Sequence, residues 1–161
     1  MARGLFISFQ HNDRNRARGF TLLHHSKYVD LNFRGRHLLD PVNSENQSYI
    51  REKVREQLHG TSVTVVLLGE NTCDSKWVEW EIKESIERGN GVVAIKLKDQ
   101  DCPLPDKSPV AQALKEAGAE IMDWEPHEIQ DAVERAAMAA GRAAAIKKEL
   151  VNSSDTGTCS R

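Results

Sequence analysis

The stretch Val63-Thr64-Val65-Val66-Leu67-Leu68 carries apolar side chains on both sides of an extended backbone. A strand that is apolar on both faces must be covered on both faces. That is the condition of a central strand in a parallel sheet flanked by helices. Residues 62–68 are therefore read as the middle of such a sheet, and the remaining segments fit around them. Residues 4–9 (GLFISF) form a short buried strand, followed by a polar stretch over 10–16. Residues 17–28 are read as a helix with Phe20, Leu22 and Leu23 available to the core, and 29–33 as a second strand despite Asp30 and Asn32. Residues 34–46, with Gly35 and Pro41, are expected as a loop. Residues 47–59 repeat Ile50, Val54 and Leu58 at helical spacing, with Gly60 as the terminator.

After the central strand, Asp74 or Ser75 is placed to cap a helix running to about Arg88, which Gly89-Asn90-Gly91 stops. A strand at 91–97, a loop with three prolines at 99–109, a short helix at 110–117 and a short strand at 119–122 follow. An Ala-rich helix at 126–150 completes the domain, which is taken as residues 1–150. Residues 151–161, polar and small, are expected to be a disordered tail. The repeated βα order predicts an α/β fold of flavodoxin-like type: a doubly wound, five-stranded parallel sheet of order 2-1-3-4-5. In such a sheet ligands bind where the winding reverses, outside the carboxyl ends of strands one and three. The loops at that crevice are residues 9–16 and 69–75.

Composition narrows the function. The chain has 161 residues, with 22 Lys plus Arg against 24 Asp plus Glu. A balance this close argues against nucleic-acid binding. Residues 1–36 are locally basic, with six Arg and Lys27 against Asp13 and Asp30, a face open to phosphate or simply to solvent. Three cysteines without CxxC spacing suit a reducing compartment. The opening MARGLFISFQHNDR has too short an apolar stretch for a signal peptide, and no run approaches a membrane span, so a cytoplasmic protein is expected.

Several chemistries of doubly wound folds are missing. There is no GxGxxG after the first strand and no GxxxxGK[ST]. QHNDRNR is not a flavin phosphate loop, and the acidic pair of a phospho-receiver is absent. The six histidines form no metal-ligand spacing, so no metal and no resident cofactor is expected.

What stands out at the crevice is CDSKWVEWE, residues 73–81, which spends two of the three tryptophans on one helix start. On a helical wheel Val78, Ile82 and Ile86 face the sheet, while Trp77, Glu81, Glu84 and Arg88 form the adjoining stripe. Glu81 thus falls at the border of the buried face, partly solvated, where the helix start favours its ionised form. Glu79 lies on the opposite flank. From spacing alone, two acids favoured by a helix N-terminus and two tryptophans packed in the core remain an adequate account.

SKWVEWE at residues 75–81 resembles the Ser-x-Trp-(Cys)-x-x-Glu motif of TIR domains, with Val78 in place of the usual Cys. LFISFQHND at 5–13 is similar to the first-strand signature of that superfamily, and residues 61–95 resemble the TIR-like proteins of Thoeris antiphage defence. The likeness extends over residues 4 to about 98.

The resemblance implies an NAD-consuming enzyme that cleaves the nicotinamide–ribose bond. NAD is its substrate and Glu81 its catalytic carboxylate, and the product is a cyclic ADP-ribose isomer or conjugate that activates an effector encoded nearby. It also implies a substrate pocket bordered by Phe9, Gln10, His11, Asp13, Ser75 and Trp77, with Asp13 capping the following helix. Homo-oligomers are implied too, with the loop at 34–46 of one copy near the site of the next. The competing expectation is a non-catalytic TIR-like scaffold.

Overall fold

The computed structural model describes residues 3–26, 33–36 and 46–155. Its elements are β1 (Arg3–Phe9), α1 (Arg14–Leu22), β2 (Phe33–Arg36), α2 (Gln47–Leu58), β3 (Val63–Leu68), α3 (Lys76–Glu87), β4 (Gly91–Lys96), α4 (Pro109–Glu116), β5 (Glu120–Met122) and α5 (Ile129–Asp155). The strands pair in parallel in the order β2-β1-β3-β4-β5. Every residue of β3 is buried, as an apolar run without alternation requires.

The two faces of the sheet can be read from strand parity. Leu5, Ile7, Val65, Leu67, Val93 and Ile95 pack with Ala17 and Phe20 of α1 and with Ile129, Ala132 and Val133 of α5. Val66, Leu68, Val92 and Ala94 pack with Val78 and Ile82 of α3 and Val110, Ala113 and Leu114 of α4. Beyond that second core, Phe6 of β1 meets Val54 and Leu58 of α2, with Trp77 and Trp80 of α3 leaning on them. One face therefore holds the first and last helices and the other holds the middle three, and the winding reverses between β1 and β3.

Helix ends follow the local chemistry. Asn46 accepts hydrogen bonds from the backbone N–H groups of Ser48 and Tyr49, and Ser75 accepts from Val78 at 3.2 Å. Gly60 and Gly89 adopt the positive φ of residues that follow a helix, 79° and 78°.

Some boundaries differ from the expectations. The second strand is Phe33–Arg36, so residues 34–36 of the expected loop are strand and Gly35 pairs with Leu5. It is an edge strand bonded on one side only, which removes the demand for a two-faced apolar run. Residues 29–32 and 37–45 lie outside the described residues. The polar stretch after β1 coils into a 3₁₀ turn, His11–Asp13, and α1 begins directly at Arg14. Finally α5 continues through Asp155, so the expected boundary at 150 falls inside a helix, while residues 156–161 lie outside the described residues.

Candidate active site at the carboxyl ends of the first and third strands

Glu81 sits in the second turn of α3, and its side chain is 4 % exposed. Ser8, a wholly buried residue near the end of β1, donates its hydroxyl to Glu81 Oε2. Burial pushes the Glu81 carboxyl up to about 8, opposed by hydrogen bonds from Ser8 and the Trp77 side chain. Among the described residues no charged neighbour contributes to that balance. This corrects the expectation of a partly solvated, ionised carboxylate. The helix start does favour an anion, but by about 0.3–1 kcal/mol when exposed, which is small beside desolvation of a fully buried carboxyl.

The main chain at Glu81 is also held. Ser85 Oγ donates to the Glu81 carbonyl at 2.8 Å, and Thr64 Oγ1 lies 2.7 Å from Ser85 Oγ. Ser8, Thr64 and Ser85 are all wholly buried. The seam between β1, β3 and α3 is thus hydroxyl-lined, with each hydroxyl partnered.

Trp77 is half-buried and stacks on Trp80, with ring centroids 5.1 Å apart and planes 33° off parallel. Residues three apart share a helix face, and the two rings form one aromatic layer over Phe6. The outer ring is covered by arginines: the Arg51 and Arg55 guanidiniums of α2 lie 5.4 and 5.7 Å from the Trp80 centroid. Arg55 also grips Glu84 through two hydrogen bonds, 2.9 and 3.1 Å. Glu79 is held at the surface by Lys83 and Lys76, which lower its pKa.

The first loop lies at the same end of the sheet. Asp13 is 7 % exposed and its carboxyl rests on Gly69, directly after β3. A Cβ at Gly69 would lie 2.2 Å from Asp13 Oδ2, so the close approach needs glycine. Burial raises the Asp13 pKa against hydrogen bonds from Gln100 and Thr72 and the charge of Arg16, while Glu70 raises it further. Thr72 closes the turn by accepting from the Gly69 N–H at 2.8 Å. Asp13 makes no side-chain cap to α1, contrary to expectation, because its carboxyl is spent on the neighbouring loop. Arg16 donates to the Lys98 carbonyl, which fastens the same corner to the loop after β4.

The remaining expected site residues separate. Gln10 caps its own turn, accepting from the Asn12 N–H at 2.7 Å. His11 is exposed, and Ser75 is occupied as the cap of α3. Phe9 packs against the core under α1 and α5, because adjacent residues of a strand point to opposite faces. The site residue missed in the sequence is Ser8. Its signal was available: Ser8 and Thr64 are polar interruptions of apolar strands at the parity that faces α3, where the helix answers with Glu81 and Ser85.

The chain is similar to known proteins over this region. The model of the family described as "Thoeris protein ThsB, TIR-like domain" matches residues 6–101. A protein of Bacillus cereus (strain MSX-D12) named "Putative cyclic ADP-D-ribose synthase ThsB1" is 36 % identical over 63 residues, 37 % of this chain and 33 % of that protein. The match thus spans about one third of the length of that curated relative. A crystal structure from Burkholderia pseudomallei K96243, described as a "Putative pilus assembly-related protein", superposes with a TM-score of 0.51 at 17 % identity, covering 86 % of this chain and 90 % of that one. At that identity the likeness concerns the fold alone. The family match runs from β1 to the loop after β4 and takes in Ser8, Asp13, Trp77 and Glu81, so the chain belongs to the Thoeris ThsB TIR-like domain family.

Proposed function

We propose that the protein consumes NAD, cleaving the bond between nicotinamide and ribose and passing on the ADP-ribosyl group. The observation that carries the reading is the Glu81 carboxyl, buried at the carboxyl end of the sheet with no cation among the described residues contributing to its shifted pKa. A buried acid without a counter-charge costs stability when it ionises, and such groups cluster where chemistry is done. The name of the Bacillus cereus relative supports the same class of substrate.

The chemistry needs little more than this carboxyl. When the glycosidic C–N bond breaks, its electron pair leaves with the pyridine nitrogen and neutral nicotinamide departs without a general acid. Positive charge develops on the ribose, as in glycoside cleavage. An ionised Glu81 stabilises that charge in a site of low dielectric. Arrival of the cationic substrate favours loss of the Glu81 proton to solvent. The ribosyl cation is then captured by water, giving ADP-ribose, or by a nucleophile of the same molecule, giving a cyclic isomer, and in either case one proton is released to solvent. A product of the second kind suits a signal that activates a separate effector, and cytoplasmic NAD is the natural supply. Glu81 is 4 % exposed, so contact with the ribose requires the groups packed around the carboxyl to move.

The test is nicotinamide release from NAD by the purified protein. Glu81→Gln is expected to abolish it, by at least a hundredfold, with the fold intact. Glu79→Gln, at an exposed ion pair, is expected to stay within about twofold. Retained activity in Glu81→Gln would remove that carboxyl from the reaction. A second reading, a TIR-like interaction module, is favoured by a different observation: α5 exposes Met138, Ile146, Leu150 and Val151, each about 60 % accessible. Concentration-dependent self-association by a chain that never turns over NAD would establish it.

A further inference from the structure

We propose that Ser8 is a positioning residue for Glu81, holding the carboxyl in one rotamer and holding the oxygen that must become anionic when the ribosyl cation forms. The inference rests on the NAD-cleaving reading and deepens it by assigning a role to a residue that reading does not require.

The geometry is two-sided. Ser8 on β1 binds the side chain of Glu81, while Ser85, backed by Thr64 of β3, binds the carbonyl of the same residue. Side chain and main chain are thus tied to two adjacent strands, and the Glu81 carboxyl cannot rotate without leaving a buried hydroxyl unpartnered. A buried Ser within an apolar strand is otherwise a poor choice. An apolar residue of similar size would fill the position and leave no polar group to satisfy.

The hydroxyl also acts on the proton. A serine O–H donates better to a carboxylate than to a carboxylic acid, so it opposes the effect of burial on Glu81. The other groups around this position do not compete. On α3, Glu79 is paired with Lys76 and Lys83, and Glu84 with Arg55. On α2, Arg51 and Arg55 lie over Trp80, with Glu52, Lys53 and Glu56 on the same helix, and Lys53 bound to Glu56. On α4 the charged groups are Lys115 and Glu116, and on β4 Lys96 lies near Asp123. On β1 Arg3 is bound to Glu134 of α5, and β3 carries no titratable side chain. None of these is a cause of the Glu81 shift. Among the described residues Ser8 and Trp77 are the groups that ease ionisation, and Ser8 does so without lying on the helix that carries the carboxyl.

The experiment has two independent readings on Ser8→Ala, Ser8→Thr and Ser8→Val. Thr and Val match in volume and crowd the seam equally, so they isolate the hydroxyl even if Ser8→Ala folds poorly. The first reading is nicotinamide release against pH. Loss of the hydroxyl in Ala and Val is expected to move the rising limb of kcat/KM upward by about one unit and to lower kcat at pH 7 about tenfold, with KM nearly unchanged. Thr is expected to return the limb toward wild type. The second reading is direct titration of the Glu81 carboxyl by NMR on glutamate labelled at the side-chain carbon, assigned by loss of its signal in Glu81→Gln. That midpoint should rise in Ala and Val and return in Thr, whether or not NAD is turned over. If the protein is silent on NAD but the midpoint moves as stated, the NAD-cleaving reading falls while the Ser8–Glu81 coupling stands. If neither limb nor midpoint moves and only stability is lost, Ser8 is a packing residue and the proposal is overturned.

Discussion

At the scale of single residues the dominant quantity is the desolvation of Glu81. Its pKa is about 8 in the fold against an ordinary 4.5. The fold therefore prefers the protonated acid. That preference contributes fully below about pH 4.5 and is lost progressively as pH rises through about 8. Glutamine at the position has no charge to desolvate. Glu81→Gln is thus expected to gain stability relative to wild type between pH 5 and pH 8, by a few kcal/mol in order of magnitude, visible as a Tm difference that widens with pH. A difference that stays constant across that window would mean that Glu81 is already solvated. Trp77 has two duties that a pair of variants separates. Trp77→Ala opens the aromatic layer over Phe6, Val54 and Leu58 and should cost about 3 kcal/mol. Trp77→Phe keeps a ring but loses the indole N–H, so chemical denaturation should show a smaller loss while the Glu81 titration moves upward.

At the scale of elements, α3 and α5 behave differently. α3 is tied at both ends and on two faces: capped by Ser75, gripped by Arg55 at Glu84, and seated on Val66 and Leu68 through Val78 and Ile82. Removing the cap with Ser75→Ala should cost about 1 kcal/mol. If Ser75 serves only the helix, nicotinamide release per folded molecule stays unchanged, and a larger loss of turnover would return it to the substrate pocket. α5 has 27 residues, about 40 Å of helix, against strands of six residues that span about 20 Å. Its first half covers the sheet through Ile129, Ala132 and Val133, and residues 141–154 are all exposed. Deleting residues 143–161 should therefore leave the unfolding midpoint of the monomer within about 1 kcal/mol of the full chain in urea. A larger drop would reveal a contact made by that segment, which a second copy of the chain would supply.

At the scale of the whole molecule, the two loops of the crevice are assembled by the topology. β1 and β3 are neighbours although α1, β2 and α2 separate them in sequence, and the reversal of winding leaves Asp13 resting on Gly69. Gly69→Ala would drive a methyl group into that carboxyl. It should loosen the corner formed with Thr72 and Gln100, cost about 1–3 kcal/mol, and speed proteolysis of the first loop more than that of α5. The ionisation of Glu81 should also appear in the pH dependence of turnover. With an acid that must be ionised for the cation to form, kcat/KM rises with pH and levels above about 8. A profile already flat from pH 5.5 would show that the reacting carboxyl is another one.

The amino-acid sequence by itself determined the class of fold, because short apolar strands and capped amphipathic helices are local patterns set by parity and helical period. It also singled out Glu81 and Trp77, since the motif is contiguous. It placed Ser75 at the helix start, where a hydroxyl satisfies a backbone N–H three residues on. Only the tertiary structure decided what depends on burial and on contacts across many residues. The wheel put Glu81 at a border because it saw one helix. β1 lies across that border and closes it with Ser8, 73 positions away in sequence, which turns a solvated carboxylate into a buried acid. The resemblance puts Phe9 in the pocket, and the pleat of β1 sends it to the face opposite Ser8. Asp13 looked like a cap because caps are local. Its carboxyl instead holds the loop after β3, because a buried acid takes the hydrogen bonds that Thr72 and Gln100 offer over those of its own helix.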